Sequence, residues 1–141
     1  MLSEFTKSKT AEKKKIGNIP SVEQIKNITA LCKNVLEPVR KYFAKPVYIT
    51  SGYRSKELNK AIGGSRYSQH MKGEAADFVV KDIPVNKVFN YIIHESISFD
   101  QCIYELKGKS EWIHISHKRN RKEKLKAAPD ETGRMVYHAV K

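Results

Sequence analysis

The clearest regular pattern along the chain is helical and lies in its first third. Apolar residues recur at intervals of three and four positions from 25 to 39, which is typical of a helix buried along one face. Ser21 and Gln24 precede them with the spacing of a capping box, so the helix is predicted to begin there. Pro38 removes one helix hydrogen bond and is expected to bend the last turns. A second amphipathic helix is predicted over residues 85–93.

Short runs of β-branched and aromatic residues predict strands that helices and turns separate. Strands are predicted over residues 47–50, 75–80, 99–106 and 112–116, with a last edge strand over 135–140. Residues 107–110 are predicted to form the hairpin turn between the third and fourth strands, and the residues around His70 a loop. Two further short helices are predicted, one over residues 2–15 capped by Ser3 and one from Ser55 to about residue 61.

Composition narrows the classes of protein that fit this pattern. The chain has 141 residues and a hydrophobic fraction of 40%, which is ordinary for a globular protein and argues against disorder. We interpret residues 1–141 as one domain, with an N-terminal helical extension at 1–20 and a basic segment with an edge strand at 118–141. Cys32 and Cys102 are too few and too distant for a disulfide framework, so both are expected to be buried free thiols.

The charge balance points to a polyanionic partner or environment. The formal net charge is +12, from 27 basic and 15 acidic side chains. Nucleic acid, anionic lipid and the anionic polymers of a bacterial envelope all satisfy such a charge. No apolar run approaches the roughly 20 residues that span a bilayer, and the first residues lack the apolar stretch of a secretory signal. We therefore expect a soluble protein, synthesised in the cytoplasm and without membrane insertion.

Two histidines and two carboxylates suggest the chemistry. His70 and Asp77 lie in one short segment, and Glu111 and His114 follow in a second. Catalytic zinc is usually held by three nitrogen or oxygen ligands, with the fourth position left to water. A nearby glutamate that is not a ligand can then accept the proton of that water. The two segments together therefore favour a zinc site, although His70 and Asp77 alone are a weak signal.

Strand parity raises a difficulty for Glu111. It lies three positions before His114, so in one regular strand the two side chains would point to opposite faces of the sheet. We expect Glu111 to leave the hairpin turn with non-strand dihedral angles, which would bring it to the face of His114. The alternative is that Glu111 only solubilises the hairpin tip. Parity assigns His117 to the other face, and His94 and His138 are expected to be ordinary surface or boundary residues.

Three separated motifs, taken in order, resemble a known family. They are Ser51-Gly52-Tyr53-Arg54, then Ser68-x-His70-x-x-Gly73-x-Ala75-Ala76-Asp77, and then Glu111-x-x-His114. They are similar to the zinc D-alanyl-D-alanine carboxypeptidases, which include D-Ala-D-Ala dipeptidases and phage endolysin peptidase domains and share their fold with hedgehog signalling domains. The resemblance runs from about residue 36 to about residue 120. It implies an α+β domain with a central antiparallel sheet flanked by helices.

The resemblance also implies roles for single residues. The metal ligands of the family correspond to His70, Asp77 and His114, which would hold one Zn²⁺ per chain. Its general base corresponds to Glu111, and its substrate-stabilising arginine to Arg54. The substrate-binding serine of the family motif corresponds to Ser68, although that hydroxyl could equally cap the loop.

The function that follows is that of a zinc metallopeptidase. The expected substrates are the stem peptides of peptidoglycan, cleaved either as a D-Ala-D-Ala carboxypeptidase or as an endolysin-type endopeptidase. The basic surface suits adhesion to an anionic cell envelope, and a monomeric phage lysin released by a holin would need no export signal. A specific nucleic-acid partner is not expected. Two alternatives stay open, namely a non-catalytic zinc-containing module that binds the cell wall and a basic nucleic-acid-binding domain that uses residues 118–122.

Overall fold

A mixed sheet forms the frame of the molecule. The computed structural model describes residues 2–141, and the strands in that range are β1 (Val47–Ser51), β2 (Ala75–Val80), β3 (Gln101–Lys107), β4 (Ser110–Ser116), β5 (Glu123–Pro129) and β6 (Met135–Ala139). Their spatial order is β1-β2-β4-β3-β5-β6. Neighbouring strands are antiparallel except β3 and β5, which run parallel. The predicted α+β class with a central antiparallel sheet is confirmed, and the sheet includes one parallel pair.

The parallel pair has a simple cause in the path of the chain. The end of β4 lies beside the start of β3, where the backbone amide of Asp100 donates to the carbonyl of Ser116. Residues 117–122 cross that end of the sheet, and β5 then starts beside Gln101, in the same direction as β3. The predicted basic segment at 118–141 therefore contains a further strand, β5, besides the predicted edge strand.

The helices follow the predicted pattern with local differences. They are α1 (Leu2–Thr6), α2 (Lys9–Lys14), α3 (Val22–Leu31), α4 (Glu37–Phe43), α5 (Lys56–Ala61) and α6 (Val85–His94). The capping box at the start of α3 is confirmed, since Ser21 Oγ accepts from the Gln24 amide and Gln24 Oε1 accepts from the Ser21 amide. A π-helical turn, Cys32–Leu36, joins α3 to α4 just before Pro38, whose nitrogen cannot donate.

The N-terminal segment is two helices and not one. Ser3 lies inside α1, so its assignment as a cap is wrong. The cap is Ser8, whose Oγ accepts from the amide of Ala11 at 3.2 Å and begins α2. A serine that can cap a new helix breaks a continuous one, because its side chain competes for backbone amides.

Helices cover one face of the sheet and leave the other open. Helix α6 packs on β2, β3 and β4. The buried core there includes Phe78 of β2 and Ile113 and Ile115 of β4, together with Phe89 and Ile92 of α6. Alternation along the strands then directs the intervening side chains to the opposite, uncovered face. Cys102 is buried as expected, whereas Cys32 is only half-buried.

The lengths and polarity of the helices were also compared with those of membrane-spanning helices. Within residues 2–141, every helix falls short of the length and apolarity that a membrane crossing requires.

Candidate metal centre

Asp77 and His114 meet on the uncovered face of the sheet. They are direct partners in the antiparallel pairing of β2 with β4. The Nδ1 atom of His114 lies 2.9 Å from Oδ1 of Asp77. The predicted alternation of β2 accounts for this position, because Ala76 and Phe78 are buried against the helices while Asp77 is half-buried on the other side. Neighbours in the sheet thus bring together two residues that are 37 positions apart.

A 3₁₀ turn supplies His70. The predicted loop there is replaced by the turn Gln69–Lys72, which Ser68 caps by accepting the amide of His70. Gly73 ends the turn with a φ of 73°, and a Cβ atom there would lie 2.4 Å from the carbonyl oxygen of Gln24. Both the left-handed φ and the lack of space for a Cβ atom therefore require glycine at position 73. The turn buries His70, and its Nε2 lies 3.3 Å from Nδ1 of His114 and 3.4 Å from Oδ1 of Asp77.

A backbone carbonyl sets the tautomer of His70. Nδ1 of His70 lies 2.7 Å from the carbonyl oxygen of Gly52, so Nδ1 carries the proton and Nε2 presents a lone pair to the cluster. Gly52 is itself held from behind by α1, because a Cβ atom there would lie 2.6 Å from Cα of Phe5. The amide of Tyr53 also donates to the carbonyl of Phe5. The N-terminal helix thus supports the residue that orients a candidate ligand.

The protonation states of the cluster suit a metal cation. Burial lowers the pKa of His70, which keeps its imidazole neutral. Burial opposes the ionisation of Asp77, but its close contacts with the imidazoles of His114 and His70 outweigh it and hold the pKa of Asp77 well below its usual range. Metal binding requires neutral imidazole and ionised carboxylate. The three candidate ligand atoms lie within 4.8 Å of one another, and two nitrogens with one oxygen form a donor set that suits zinc.

The cluster opens into a cavity of about 780 Å³ that also contains Arg54 and Ser68. The amide of Arg54 donates to the carbonyl of His70 at 3.1 Å, which ties the arginine to the turn that carries His70. Within residues 2–141 its guanidinium makes one hydrogen bond, a long one of 3.4 Å to Ser68 Oγ. Burial lowers the pKa of Arg54, and the charges of Asp77 and Glu105 oppose that change. A charged donor group with few partners therefore faces the cavity.

Glu111 does not reach the cavity. The expected non-strand conformation is wrong, because Glu111 lies within β4 and pairs with Leu106 of β3. Parity then places it on the face opposite His114, as regular strand geometry requires. Its carboxylate accepts a hydrogen bond from the hydroxyl of Tyr104 at 2.9 Å, on the face where Tyr104 contacts Phe89 of α6.

Glu105 occupies the place expected for Glu111. It lies two residues after Ile103, the partner of His114 in the pairing of β3 with β4, and it lines the cavity. Burial and the charge of Asp77 raise the pKa of Glu105, and the charges of His114 and Arg54 partly offset the rise. The predicted hairpin already indicates this position of Glu105. A turn at residues 108–109 pairs Glu105 with Trp112, and Trp112 lies two positions before His114, so both side chains are on the face of His114.

The C-terminal strands complete the cavity wall with residues that the sequence did not indicate. Arg119 and Arg121 line it from the connection between β4 and β5. Tyr137 of β6 pairs with Ala127 of β5, which pairs with Glu105, so the three lie in one row across the sheet. Burial raises the pKa of Tyr137, and the charges of Glu105 and Asp77 add to it.

The remaining histidines lie apart from the metal cluster. Among residues 2–141 the grouping that could hold a metal is His70, Asp77 and His114. His117 lies just beyond β4, where its amide donates to the carbonyl of Glu74. His94 ends α6 and is exposed, and His138 is an exposed residue of β6.

Comparison with protein families gives a match to this chain. A family model described as Peptidase M15 matches residues 1–116. The match includes the whole candidate cluster together with Arg54, Ser68 and Glu105, and it ends at the last residue of β4. A search of curated proteins finds no match.

Proposed function

The chain belongs to the peptidase M15 family, whose members resemble zinc D-alanyl-D-alanine carboxypeptidases, and on that premise we propose that it hydrolyses peptide bonds in peptidoglycan stem peptides. The family supports a zinc peptidase that acts on peptidoglycan. The bond would be cleaved either at the chain end, as a D-Ala-D-Ala carboxypeptidase, or within the peptide, as an endolysin-type endopeptidase. The observation that carries the proposal is the partly buried cluster of His70, Asp77 and His114, which opens into a cavity.

His70 Nε2, Asp77 Oδ1 and His114 Nδ1 would hold the metal. Bound zinc supplies Lewis-acid polarisation of the scissile carbonyl and lowers the pKa of a bound water to about 7. The hydrogen bond from His70 to the carbonyl of Gly52 orients that imidazole before any ligand arrives. Three groups fixed by a strand pair and a capped turn give the rigid site that this chemistry needs.

Glu105 is the general base of the proposed reaction. It lies on the same face as His114 and lines the same cavity. Its raised pKa moves the carboxylate towards the range in which a base accepts a proton near neutral pH and returns it to the leaving amine. Glu111 is separated from the metal cluster by the sheet, so it cannot take this role without a rearrangement of the hairpin.

Arg54 would stabilise the negative charge that develops on the substrate. Its position next to the metal-binding turn and its single long hydrogen bond leave guanidinium donors available to an oxyanion or a carboxylate. Ser68 would bind substrate less directly, because its Oγ already accepts from the His70 amide and faces Arg54.

The biological setting is also part of the proposal. The net charge of +12 supports adhesion of a monomer to an anionic envelope, and a phage lysin released by a holin fits a small basic peptidase. The alternative of a nucleic-acid binder rested on residues 118–122, two of whose arginines line the metal cavity.

Digestion of purified sacculi tests the proposed activity. Protein loaded with zinc should release fragments whose masses identify the cleaved bond, and removal of the metal by a chelator should stop the release. Protein that holds zinc, binds sacculi and releases no fragment would instead be the non-catalytic wall-binding module.

A further inference from the structure

The loop that connects β4 to β5 is held in place by specific hydrogen bonds. The carboxylate of the buried Asp100 accepts from the Arg119 amide at 2.6 Å and from Gln69 Nε2 at 2.8 Å. The loop is thereby linked to the residue next to His70. Lys122 closes its other end, where its amide donates to the carbonyl of Phe99 and its ammonium lies 4.8 Å from the centre of the Phe99 ring.

The backbone of this loop is held in an unfavourable conformation. Asn120 and Lys122 have φ angles of 56° and 58°, in the left-handed region that non-glycine residues seldom adopt. Such angles persist where surrounding contacts over-determine them, and they concentrate at functional sites.

The two arginines of the loop border the cavity. Arg119 and Arg121 both line it. Within residues 2–141 neither guanidinium forms a hydrogen bond or an ion pair. Glu123 also lines the cavity, but its carboxylate is engaged by Gln101 Nε2 at 2.6 Å. Two planar cationic groups are thus available on the side of the cavity that β5 borders.

The strand order gives the distance of this pair from the proposed chemistry. Asp77, His114, Ile103 and Leu125 are successive neighbours across β2, β4, β3 and β5. Strands are spaced by about 4.8 Å, so β5 lies about 10 Å from the strand of His114. Leu125 is level with His114, whereas Arg121 lies four positions before Leu125, which adds about 13 Å along the strand direction at about 3.3 Å per residue. The combined separation of about 16 Å corresponds to about five residues of an extended substrate.

We propose that Arg119 and Arg121 form a subsite for a substrate carboxylate, which makes the enzyme selective for acidic peptides. The carboxylate belongs to a residue within about five positions of the scissile bond, and the guanidinium forks bind it in a bidentate manner. This subsite rests on the proposed function and adds a determinant of specificity to it. It lies outside residues 1–116, so it is a feature of this chain beyond the part that the family model matches.

Two synthetic stem peptides test the subsite. They are identical except that one carries a free carboxylate at this distance from the scissile bond and the other carries its primary amide. The zinc-loaded full chain should cleave the acidic peptide with a kcat/KM about tenfold higher, mainly through KM, as expected for a charge-assisted contact. The double variant R119Q/R121Q should lose this preference and cleave the two peptides with equal kcat/KM, and a wild-type circular dichroism spectrum and zinc content show that it is folded.

A matched variant controls for the loss of charge. K109Q/R134Q removes two positive charges from turns that do not line the cavity, and it should keep the preference. An equal preference in wild type and R119Q/R121Q, or no preference in wild type, would overturn the subsite.

A binding measurement separates the two proposals. Trp112 is the single tryptophan of the chain, and it is paired with Glu105 beside the cavity. Its fluorescence can report binding of both peptides to the E105Q protein, without turnover. If wild type cleaves neither peptide, the proposed function fails, whereas tighter binding of the acidic peptide that R119Q/R121Q abolishes would still support the subsite. Equal binding of both peptides would overturn it.

Discussion

Glu105 and Glu111 belong to the two strands of one hairpin but lie on opposite faces of the sheet. This pair allows a test at the scale of single residues. Glu105→Gln keeps the size and polarity of the side chain but cannot accept a proton, so turnover of a stem peptide should fall by roughly a hundredfold or more. The zinc content should stay at one per chain, because Glu105 is not a ligand. Peptidase assays with elemental analysis of the same samples give both values.

Glu111→Gln is the matched control for that measurement. It replaces a carboxylate whose partner is the hydroxyl of Tyr104, away from the metal cluster. It should keep wild-type turnover within about threefold, since general base catalysis is not affected. Loss of activity in Glu111→Gln, with an active Glu105→Gln, would reverse the assignment.

Asp77 provides a second test at the residue scale. Its carboxylate is ionised in the cluster and contacts both imidazoles. Asp77→Asn removes the anionic donor, so zinc binding should weaken together with activity. The drop should be about tenfold or more in affinity, measured by competition with a chelator of known affinity. Wild-type zinc affinity in Asp77→Asn would contradict the proposed ligand set.

At the scale of elements, α1 and the end of β1 act as one support for His70. The contact depends on Gly52, where a Cβ atom would come within 2.6 Å of the Phe5 backbone. Gly52→Ala should therefore lower the free energy of unfolding by about 1–3 kcal/mol through overpacking, and denaturant titration measures it. Zinc affinity should also fall, because the carbonyl of Gly52 orients His70.

Gly17→Ala is the control variant, because it also replaces a glycine by alanine but at a position without close neighbours. No atom lies within 4 Å of a Cβ placed there, and its φ is not in the left-handed region. This variant should match wild type in stability within about 0.5 kcal/mol. If both variants lose the same stability, the contact between α1 and Gly52 is not the cause.

At the scale of the whole molecule, the net charge of +12 should govern adhesion and not chemistry. Exposed charges are screened over a Debye length of about 10 Å at 0.1 M salt. Binding to sacculi should therefore weaken steeply as salt rises, whereas hydrolysis of a small neutral peptide should change far less. A pull-down with sacculi and a peptide assay, run over the same salt series, measure the two effects. Equal salt sensitivity would show that the charge acts at the active site itself.

The structure confirms predictions that depend on residues close together in the sequence. The capping box at Ser21 and the alternation of β2 around Asp77 depend on residues within a few positions of each other, and both are present in the structure. The three candidate ligands were likewise indicated by their motifs, and the structure brings them together.

The sequence by itself determined the main helices and the residue types of the candidate metal cluster, because caps, periodicity and motif spacing act locally, and the family resemblance of its motifs implied the α+β class. The tertiary structure decided which side chains share a face with that cluster. Glu105 and not Glu111 borders the cavity because the hairpin stays regular through Glu111. Arg121 borders it because β5 pairs in parallel with β3. Strand neighbours depend on where the chain crosses the end of the sheet, and no local pattern of polar and apolar residues encodes that crossing.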